Sequence, residues 1–146
     1  MDSRNQRFQE EPHCRYYSIS RDGGKTWTEQ VRDEALLDTA CQASILRHPF
    51  RQPGHDKDPI LFANPTSTFQ NRVNMTVRLS YDDGKTWPVA KSVHPGPSAY
   101  CCLVSLPDGS VGLLYENGTE HRYQRISFAR FDLEWLAQGA SQEDKG

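Results

Sequence analysis

The sequence predicts an all-β fold in which one β-hairpin unit is repeated. An eight-residue pattern with five identical letters, S-x-D-x-G-x-T-W, begins at Ser20 and again at Ser80. A recurrence after about 60 residues is typical of a repeat architecture. A run in which apolar and polar residues alternate precedes each copy, as expected of a strand with one buried face. Segments with helical periodicity are nearly absent.

Each copy of the pattern is interpreted as a tight turn between two strands. The short carboxylates of Asp22 and Asp82 can accept backbone N–H bonds two residues on, and Gly24 and Gly84 supply the positive φ that such a turn needs. A tryptophan closes each copy and is expected to return a large ring to the sheet. The pattern therefore predicts scaffold and not chemistry.

The strands are predicted in three groups along the chain. The first group, residues 1 to about 40, has strands at 1–4 and 15–20, with a polar hairpin loop at 5–13 and a connector that ends near residue 39. In the second group, residues 41 to about 95, strands are expected at 43–47, 60–63, 75–80 and 89–93. In the third group they are expected at 99–106, 111–115 and 126–131. One domain is predicted over residues 1–136, followed by a small, polar, disordered tail at 137–146.

Composition argues against several classes of function. The 17 basic and 19 acidic side chains give a net charge of -2, so nothing electrostatic favours nucleic acid or an anionic membrane. No apolar run approaches the length of a membrane span, about 18 residues. The five histidines show no ligand spacing, so neither a metal nor a cofactor is predicted. The four cysteines are expected to be buried free thiols, with the adjacent Cys101 and Cys102 on opposite faces of a strand.

The box pattern and several longer stretches resemble the exo-α-sialidases (neuraminidases) of the Asp-box family. The stretches are Met1-Asp-Ser-Arg4, Cys41-Gln-Ala-Ser-Ile45, the segment 71–80, the segment 98–116 and the closing segment 128–136, which resembles the last strand of such enzymes. They follow the family's order over nearly the whole chain. The resemblance implies a β-propeller, of which this chain would be the C-terminal part.

The resemblance also implies how much of the propeller is present. A six-bladed ring with about 60 residues in each blade needs roughly 360 residues. The 146 residues therefore correspond to between two and three blades. We expect such a partial propeller to fold poorly alone and to aggregate or associate with other copies, because sheet faces and strand edges stay uncovered.

By the same resemblance, the site binds a sugar whose anomeric carbon carries a carboxylate, and guanidinium groups suit that anion because they present paired donors. Arg4 corresponds to the second of the family's three arginines and Arg72 to the third, while the first would lie upstream. Without the flanking match, Arg4 would count as an ordinary surface charge or structural ion pair. Five other arginines are assigned to that class: Arg15, Arg78, Arg122, Arg125 and Arg130.

Tyr100 is the nucleophile that the resemblance implies. The substrate's carboxylate would repel an anionic nucleophile by about 4 kcal/mol at about 4 Å and an effective dielectric constant of about 20, which a neutral phenol avoids. Sialidases are the tyrosine exception among glycosidases that otherwise use two carboxylates. The alternative is a structural tyrosine whose hydroxyl is bonded locally, as assumed for Tyr16, Tyr17, Tyr81 and Tyr123.

Glu116 corresponds to the family's carboxylate that orients the first arginine, and without that partner it is expected to be unpaired. Gln42 and Ser44 are further candidates to line the pocket. The predicted function is part of a retaining exo-α-sialidase that removes terminal sialic acid from glycoproteins, glycolipids or oligosaccharides. The acid aspartate, the glutamate base and the first arginine of the family fall outside this chain, so it is expected to have no useful turnover by itself.

Two alternatives stay open at this point: a noncatalytic Asp-box propeller that binds a glycan or a protein, and a remnant of a truncated gene. The sequence also leaves open the linkage preference, hydrolysis against transfer, and the compartment, a secreted or periplasmic location included.

Overall fold

The computed structural model describes residues 1–5, 12–68 and 70–138, and in these residues it contains nine β-strands and one short helix. The elements are β1 Asp2–Ser3, β2 Cys14–Tyr17, β3 Val31–Leu37, β4 Ser44–Arg47, β5 Ile60–Pro65, β6 Val73–Ser80, β7 Val89–Ser105, β8 Val111–Asn117, β9 Arg125–Phe131 and α1 Leu133–Ala137. The all-β prediction is confirmed. Of the predicted disordered tail, residues 139–146 lie outside the described residues, whereas Ala137 ends α1 and Gln138 caps it.

The strands form three antiparallel sheets that follow one another along the chain. The first sheet has the order β1-β2-β3. Strands β4 to β9 pair in chain order, but β7 belongs to two sheets because its pairing with β6 ends at Pro97 and its pairing with β8 begins at Ser98. We call β4, β5, β6 and residues 89–97 the second sheet, and residues 98–105, β8 and β9 the third sheet.

The hydrophobic core lies between the second and third sheets. Alternate residues of β5, β6, β7 and β8 enter it, and α1 contributes two leucines. Its fully or nearly fully buried members are Leu61, Ala63, Met75, Val77, Leu79, Val89, Cys101, Leu103, Val111, Leu113, Tyr115, Phe131, Leu133 and Leu136. The other face of β5 is buried as well: the Asn64 side chain donates to the backbone oxygen of Leu37 at 2.7 Å, which joins the second sheet to the first. Strand β5 is thus enclosed on both faces.

Both Asp-box turns are carboxylate-held turns with a positive-φ glycine, as predicted, but the carboxylates accept N–H groups three and four residues on and not two. In the second box, one oxygen of Asp82 accepts the backbone N–H of Lys85 at 3.0 Å and of Thr86 at 2.9 Å, and Gly84 has a φ of 82°. Asp22 makes the same two bonds at the same distances in the first box. Hydrogen bonds led by those from Thr26 lower the pKa of Asp22 from 3.8 to about 2. Burial raises the pKa of Asp82, but its hydrogen bonds outweigh that effect and the pKa is again about 2.

The two box tryptophans differ in their surroundings. Trp87 lies against Phe62, with ring centroids 5.8 Å apart, and its indole N–H donates to Asp33 of the first sheet at 3.1 Å. The indole of Trp27 instead donates to the backbone oxygen of Gly24, in its own box, and the residue is 48% exposed. The expected return of the ring onto a sheet is therefore seen for Trp87, whereas Trp27 faces solvent.

Several predicted boundaries differ from the structure, such as the end of β2 at Tyr17 and not at residue 20, and three of the differences have a clear physical reason. Strand β3 was expected to be a connector, because its run of charged residues hides the alternation of a strand. Strand β7 continues through Pro95 and Pro97, which lie where the chain passes from one sheet to the next and the register shifts. The closing segment is not a strand throughout: the Asp132 side chain accepts the N–H of Trp135 at 2.6 Å and begins α1.

All four cysteines are free. Cys14, Cys41 and Cys101 are buried as predicted, whereas the expectation of burial is wrong for Cys102, which is exposed on the opposite face from Cys101. Burial raises the pKa of Cys101 to about 12, so this thiol stays neutral. In the part of the chain that the structure describes, no helix has the length and apolar character of a membrane span.

Candidate active site

Arg72 and Tyr100 lie next to each other at the junction of the second and third sheets. Arg72 directly precedes β6, as predicted, and its backbone oxygen accepts the N–H of Ser98 at 3.0 Å. This bond holds the residue before β6 against Ser98, which lies two residues before Tyr100 in the sequence. The guanidinium carbon of Arg72 is 5.9 Å from the centroid of the Tyr100 ring. Tyr100 is 45% exposed, so the phenol is open to a ligand beside this cation.

Two oxygen atoms hold the guanidinium of Arg72 in place. Its Nη2 donates to the backbone oxygen of Ala40 at 2.7 Å, and its Nη1 donates to the hydroxyl of Tyr123 at 3.1 Å. The expectation that Tyr123 is bonded locally is wrong, because its partner lies 51 residues away. Ala40 has a φ of 54°, an uncommon conformation for a residue with a side chain, and no sequence pattern predicts it.

Arg4 lies on the exposed surface immediately after β1. The charges of Arg4 and Arg72 both affect the pKa of the Cys41 thiol. Burial raises the pKa of Cys41, and the positive charges of Arg72 and Arg4 oppose that rise. The Asp38 carboxylate acts in the opposite direction on the same pKa.

A buried ion-pair network positions the segments that carry these arginines. The fully buried Asp38 carboxylate accepts the backbone N–H of Asn5 at 2.7 Å and that of Cys41 at 3.2 Å. Arg15 donates to Asp38 at 3.3 Å and to the backbone oxygen of Cys41 at 2.8 Å, and it also pairs with Asp2. Arg15 is thus a structural ion pair, as predicted. The network joins the chain on both sides of Arg4 to the loop whose Ala40 oxygen holds Arg72.

Gln42 fixes the backbone beside Tyr100. Its side-chain oxygen accepts the N–H of Cys101 at 2.9 Å, and its side-chain nitrogen donates to the oxygen of the same residue at 3.0 Å. The Ser44 hydroxyl accepts the N–H of Leu103 at 3.0 Å. These two candidates therefore act on the main chain of β7, and Gln42 also lines the hollow beside Tyr100.

Glu116 lies on β8 next to Tyr100. One oxygen of its carboxylate accepts the backbone N–H of Tyr100 at 3.0 Å, a partner that the sequence does not predict. A register shift between Ser98 and Cys101 interrupts the pairing of β7 with β8 here, and the carboxylate takes the N–H that a regular ladder would pair. Glu116 thus holds the main chain of the predicted nucleophile.

An open hollow of about 280 Å³ adjoins Tyr100. Its lining combines polar and apolar side chains: Gln42, Tyr100, Cys101, Cys102, Leu114, Tyr115, Glu116 and Ile126. Among residues 1–5, 12–68 and 70–138, no group of three or more His, Cys, Asp or Glu side chains could hold a metal ion. The arrangement offers one cationic donor for an anion, Arg72, and an exposed phenol beside it.

Comparison with known proteins gives one consistent result. No protein-family model matches the chain. It is 40% identical over 123 residues to a sialidase of Micromonospora viridifaciens, covering 84% of this chain and 18% of that protein. It is 32% identical over 111 residues to a sialidase of Bacteroides fragilis, covering 73% of this chain and 20% of that protein. The chain thus spans about a fifth of the length of these relatives.

The fold is also that of solved sialidases. A leech intramolecular trans-sialidase, solved with 2,7-anhydro-Neu5Ac, superposes with a TM-score of 0.74 at 27% identity over 86% of this chain and 21% of that structure. The intramolecular trans-sialidase of Ruminococcus gnavus gives a TM-score of 0.72 at 26% identity, covering 86% and 29%. The partial β-propeller predicted from the sequence is confirmed.

Proposed function

The chain belongs to the sialidase family, and on that premise we propose that it forms part of the active site of a retaining exo-α-sialidase. The substrate class is a terminal sialic acid on an oligosaccharide, glycoprotein or glycolipid. The observation that carries the proposal is the position of the Arg72 guanidinium, 5.9 Å from the centre of the exposed Tyr100 ring.

Arg4 and Arg72 bind the carboxylate of the sugar. A guanidinium forms charge-assisted bonds to a carboxylate, each worth about 1.5–3 kcal/mol net. Arg72 suits this role because Ala40 and Tyr123 hold its head, so little orientational freedom is lost on binding. The place of Arg4 in the clamp follows from the family resemblance, and its exposure immediately after β1 is compatible with that role.

Tyr100 is the nucleophile. Its hydroxyl oxygen forms a bond to the anomeric carbon, the bond from that carbon to the leaving oxygen breaks, and the phenolic proton passes to a base. Water then displaces the tyrosine from the same carbon, and the two displacements together retain configuration. Glu116 and Gln42 support this step by fixing the main chain on either side of the attacking residue.

Three further groups complete the reaction in the proposal: an acid aspartate, a glutamate base and the first of the family's three arginines. The family resemblance places them outside this chain. General acid catalysis contributes about 10² to 10⁴ in rate, and the base a comparable factor. We therefore expect no useful turnover of a natural sialoside by the 146 residues alone.

A 3-fluorosialyl fluoride tests the proposal without the acid, because fluoride departs unprotonated. The phenolic oxygen of Tyr100 displaces fluoride and loses its proton to water, and the ring fluorine slows hydrolysis of the adduct. We expect intact-mass spectrometry to show one added sialyl group on the wild type, mapped to Tyr100, and none on Tyr100→Phe. A label at another residue would refute the nucleophile. Sialoside binding with no label on either protein would favour the noncatalytic glycan-binding module.

A further inference from the structure

The loop between β8 and β9, residues 118–124, brings a second phenol to the guanidinium of Arg72. The hydroxyl oxygen of Tyr123 lies 3.1 Å from Nη1 of Arg72, and the centre of the Tyr100 ring lies 5.9 Å from the guanidinium carbon of the same residue. Tyr100 and Tyr123 therefore adjoin one cation, although they come from different parts of the third sheet.

The chemistry of the two groups fixes the direction of the bond between Arg72 and Tyr123. A guanidinium has donors and no acceptor, so the phenol oxygen must be the acceptor. The hydrogen of the phenol is not used in this bond, and no residue in the described part of the chain accepts it. Tyr123 is 51% exposed, so this hydrogen is open to a ligand. The bond from the cation also polarises the phenol and strengthens it as a donor.

The guanidinium of Arg72 keeps donors for the same ligand. Among the described residues, Nη1 makes one hydrogen bond, to Tyr123, and Nη2 makes one, to the oxygen of Ala40. Each outer nitrogen carries two hydrogens and therefore retains one. A carboxylate that accepts the remaining hydrogen of Nη1 lies within reach of the Tyr123 hydroxyl, because that hydroxyl is bonded to the same nitrogen.

The β8–β9 loop has a defined shape that presents Tyr123. The side-chain oxygen of Gln124 accepts two backbone N–H groups of the loop, at 2.8 and 3.1 Å. The N–H of Gly118 donates to the oxygen of Pro97 in β7 at 3.1 Å, which ties the loop to the junction of the second and third sheets. A Cβ on Gly118 would lie 1.9 Å from the backbone oxygen of His121, so only glycine fits this turn.

We propose that the Tyr123 hydroxyl donates its hydrogen to the carboxylate of the sialic acid held by Arg72, so that the β8–β9 loop is part of the substrate site. This inference rests on the proposed function and adds a contact to it. Tyr123 then has two roles through one oxygen atom: it accepts from Arg72 and fixes the guanidinium, and it donates to the anion that the guanidinium binds. A neutral donor in this position favours a carboxylate over its ester, because a charged acceptor forms the stronger bond.

Calorimetric titration of the 146-residue chain with sialic acid and with its methyl ester tests the proposal. We expect Tyr123→Phe to bind the acid about tenfold more weakly than the wild type, which corresponds to the loss of one hydrogen bond to a charged group. Its affinity for the ester should change much less. The matched control is Tyr81→Phe, which removes a phenol at the opposite end of β6 from Arg72 and should bind both ligands like the wild type.

A chain with 3-fluorotyrosine in place of Tyr123 separates contact with the substrate from an effect through Arg72. Fluorine makes the phenol a stronger donor and a weaker acceptor, and at about pH 6 phenols of this kind are neutral. If Tyr123 donates to the carboxylate, the fluorinated chain should bind sialic acid more tightly than the wild type. Equal or weaker binding would show that Tyr123 acts only by holding Arg72, and would overturn the proposal.

The two titrations also separate this inference from the proposed function. If the wild type prefers the acid to the ester and Tyr123→Phe keeps the whole preference, the inference is wrong and the proposed function stands. A wild type without any preference for the acid would contradict the proposed function and the inference with it. If circular dichroism shows that Tyr123→Phe does not fold, the direction of the change in the fluorinated chain decides.

Discussion

At the scale of single residues, Arg72 is where three distant parts of the chain meet. Its backbone oxygen bonds to Ser98, and its side chain bonds to Ala40 and Tyr123 and lies over Tyr100. The bonds to Ala40 and Tyr123 use part of the donor capacity of the two outer guanidinium nitrogens, but they also fix the plane of the group. A cation fixed in this way suits a planar anion such as a carboxylate.

Replacing Arg72 should weaken carboxylate binding specifically. We expect Arg72→Gln to bind free sialic acid at least tenfold more weakly, which corresponds to the loss of one charge-assisted bond of about 1.5–3 kcal/mol. Its affinity for the sialic acid methyl ester, which lacks the charge, should change little. Titrations followed by calorimetry or NMR measure both values.

The matched control is Arg130→Gln, which removes an exposed arginine that pairs with Asp108 at a different turn. It should bind both ligands like the wild type. An equal loss of affinity in the two variants would mean that Arg72 acts only through net charge.

The buried Asp38 carboxylate is expected to stabilise the whole first sheet. Asp38→Asn leaves the buried Arg15 without part of its countercharge, and breaking a buried pair from one side costs about 3–5 kcal/mol. Asp2 still faces Arg15, so we expect the lower end of that range. Urea unfolding measures the change, and Asp108→Asn, which breaks an exposed pair, should cost less than about 1 kcal/mol.

At the scale of elements, the Asp-box turns link stability to pH. The pKa values of Asp22 and Asp82 are about 2 in the folded chain, against an ordinary value of 3.8. A depressed folded-state pKa stabilises the fold at pH values above the unfolded pKa, and this contribution is lost as the pH falls through the folded value. The free energy of unfolding should therefore decline between about pH 4 and pH 2.

The Asp82→Asn variant tests this dependence. It lacks the titrating carboxylate of one box, so its free energy of unfolding should be lower at pH 5 and should decline less steeply towards pH 2. Urea unfolding at a series of pH values gives both quantities. A variant that declines as steeply as the wild type would show that other groups cause the acid dependence.

The predicted and observed strands and turns show how much of the fold follows from the sequence. The box turns and most strands follow from local chemistry: a short carboxylate, a glycine with positive φ and alternating apolar residues. Strand β3 was not predicted, because its partner strand and not its own polar sequence determines its conformation. The continuity of β7 was missed for a related reason: Pro95 and Pro97 suggest a break, but both neighbouring sheets require an extended chain there.

The candidate site likewise contains residues that the sequence indicates and contacts that it does not. Arg4, Arg72, Tyr100 and Glu116 stand in motifs, so resemblance alone indicates them. The groups that hold the site do not: the Ala40 oxygen and the Tyr123 hydroxyl meet Arg72 across long stretches of chain. The Asp38 carboxylate likewise meets the backbone N–H of Asn5, the residue after Arg4. Such contacts depend on how sheets pack, and neither periodicity nor local turn chemistry encodes that.

At the scale of the whole molecule, three sheets follow one another, and the site lies at the junction of the last two. Its walls come from β7, β8 and β9 and from the loop that contains Ala40 and Gln42. The two ends of the row remain apolar and exposed. The account therefore depends on whether the junction of the second and third sheets binds an acidic sugar beside Tyr100.

A crystal structure of the chain with sialic acid measures this most directly. We expect carboxylate oxygens within about 3 Å of guanidinium nitrogens of Arg72 and Arg4, and the anomeric carbon facing the hydroxyl of Tyr100. Sialic acid bound at another surface, or bound here with its carboxylate away from both arginines, would contradict the account.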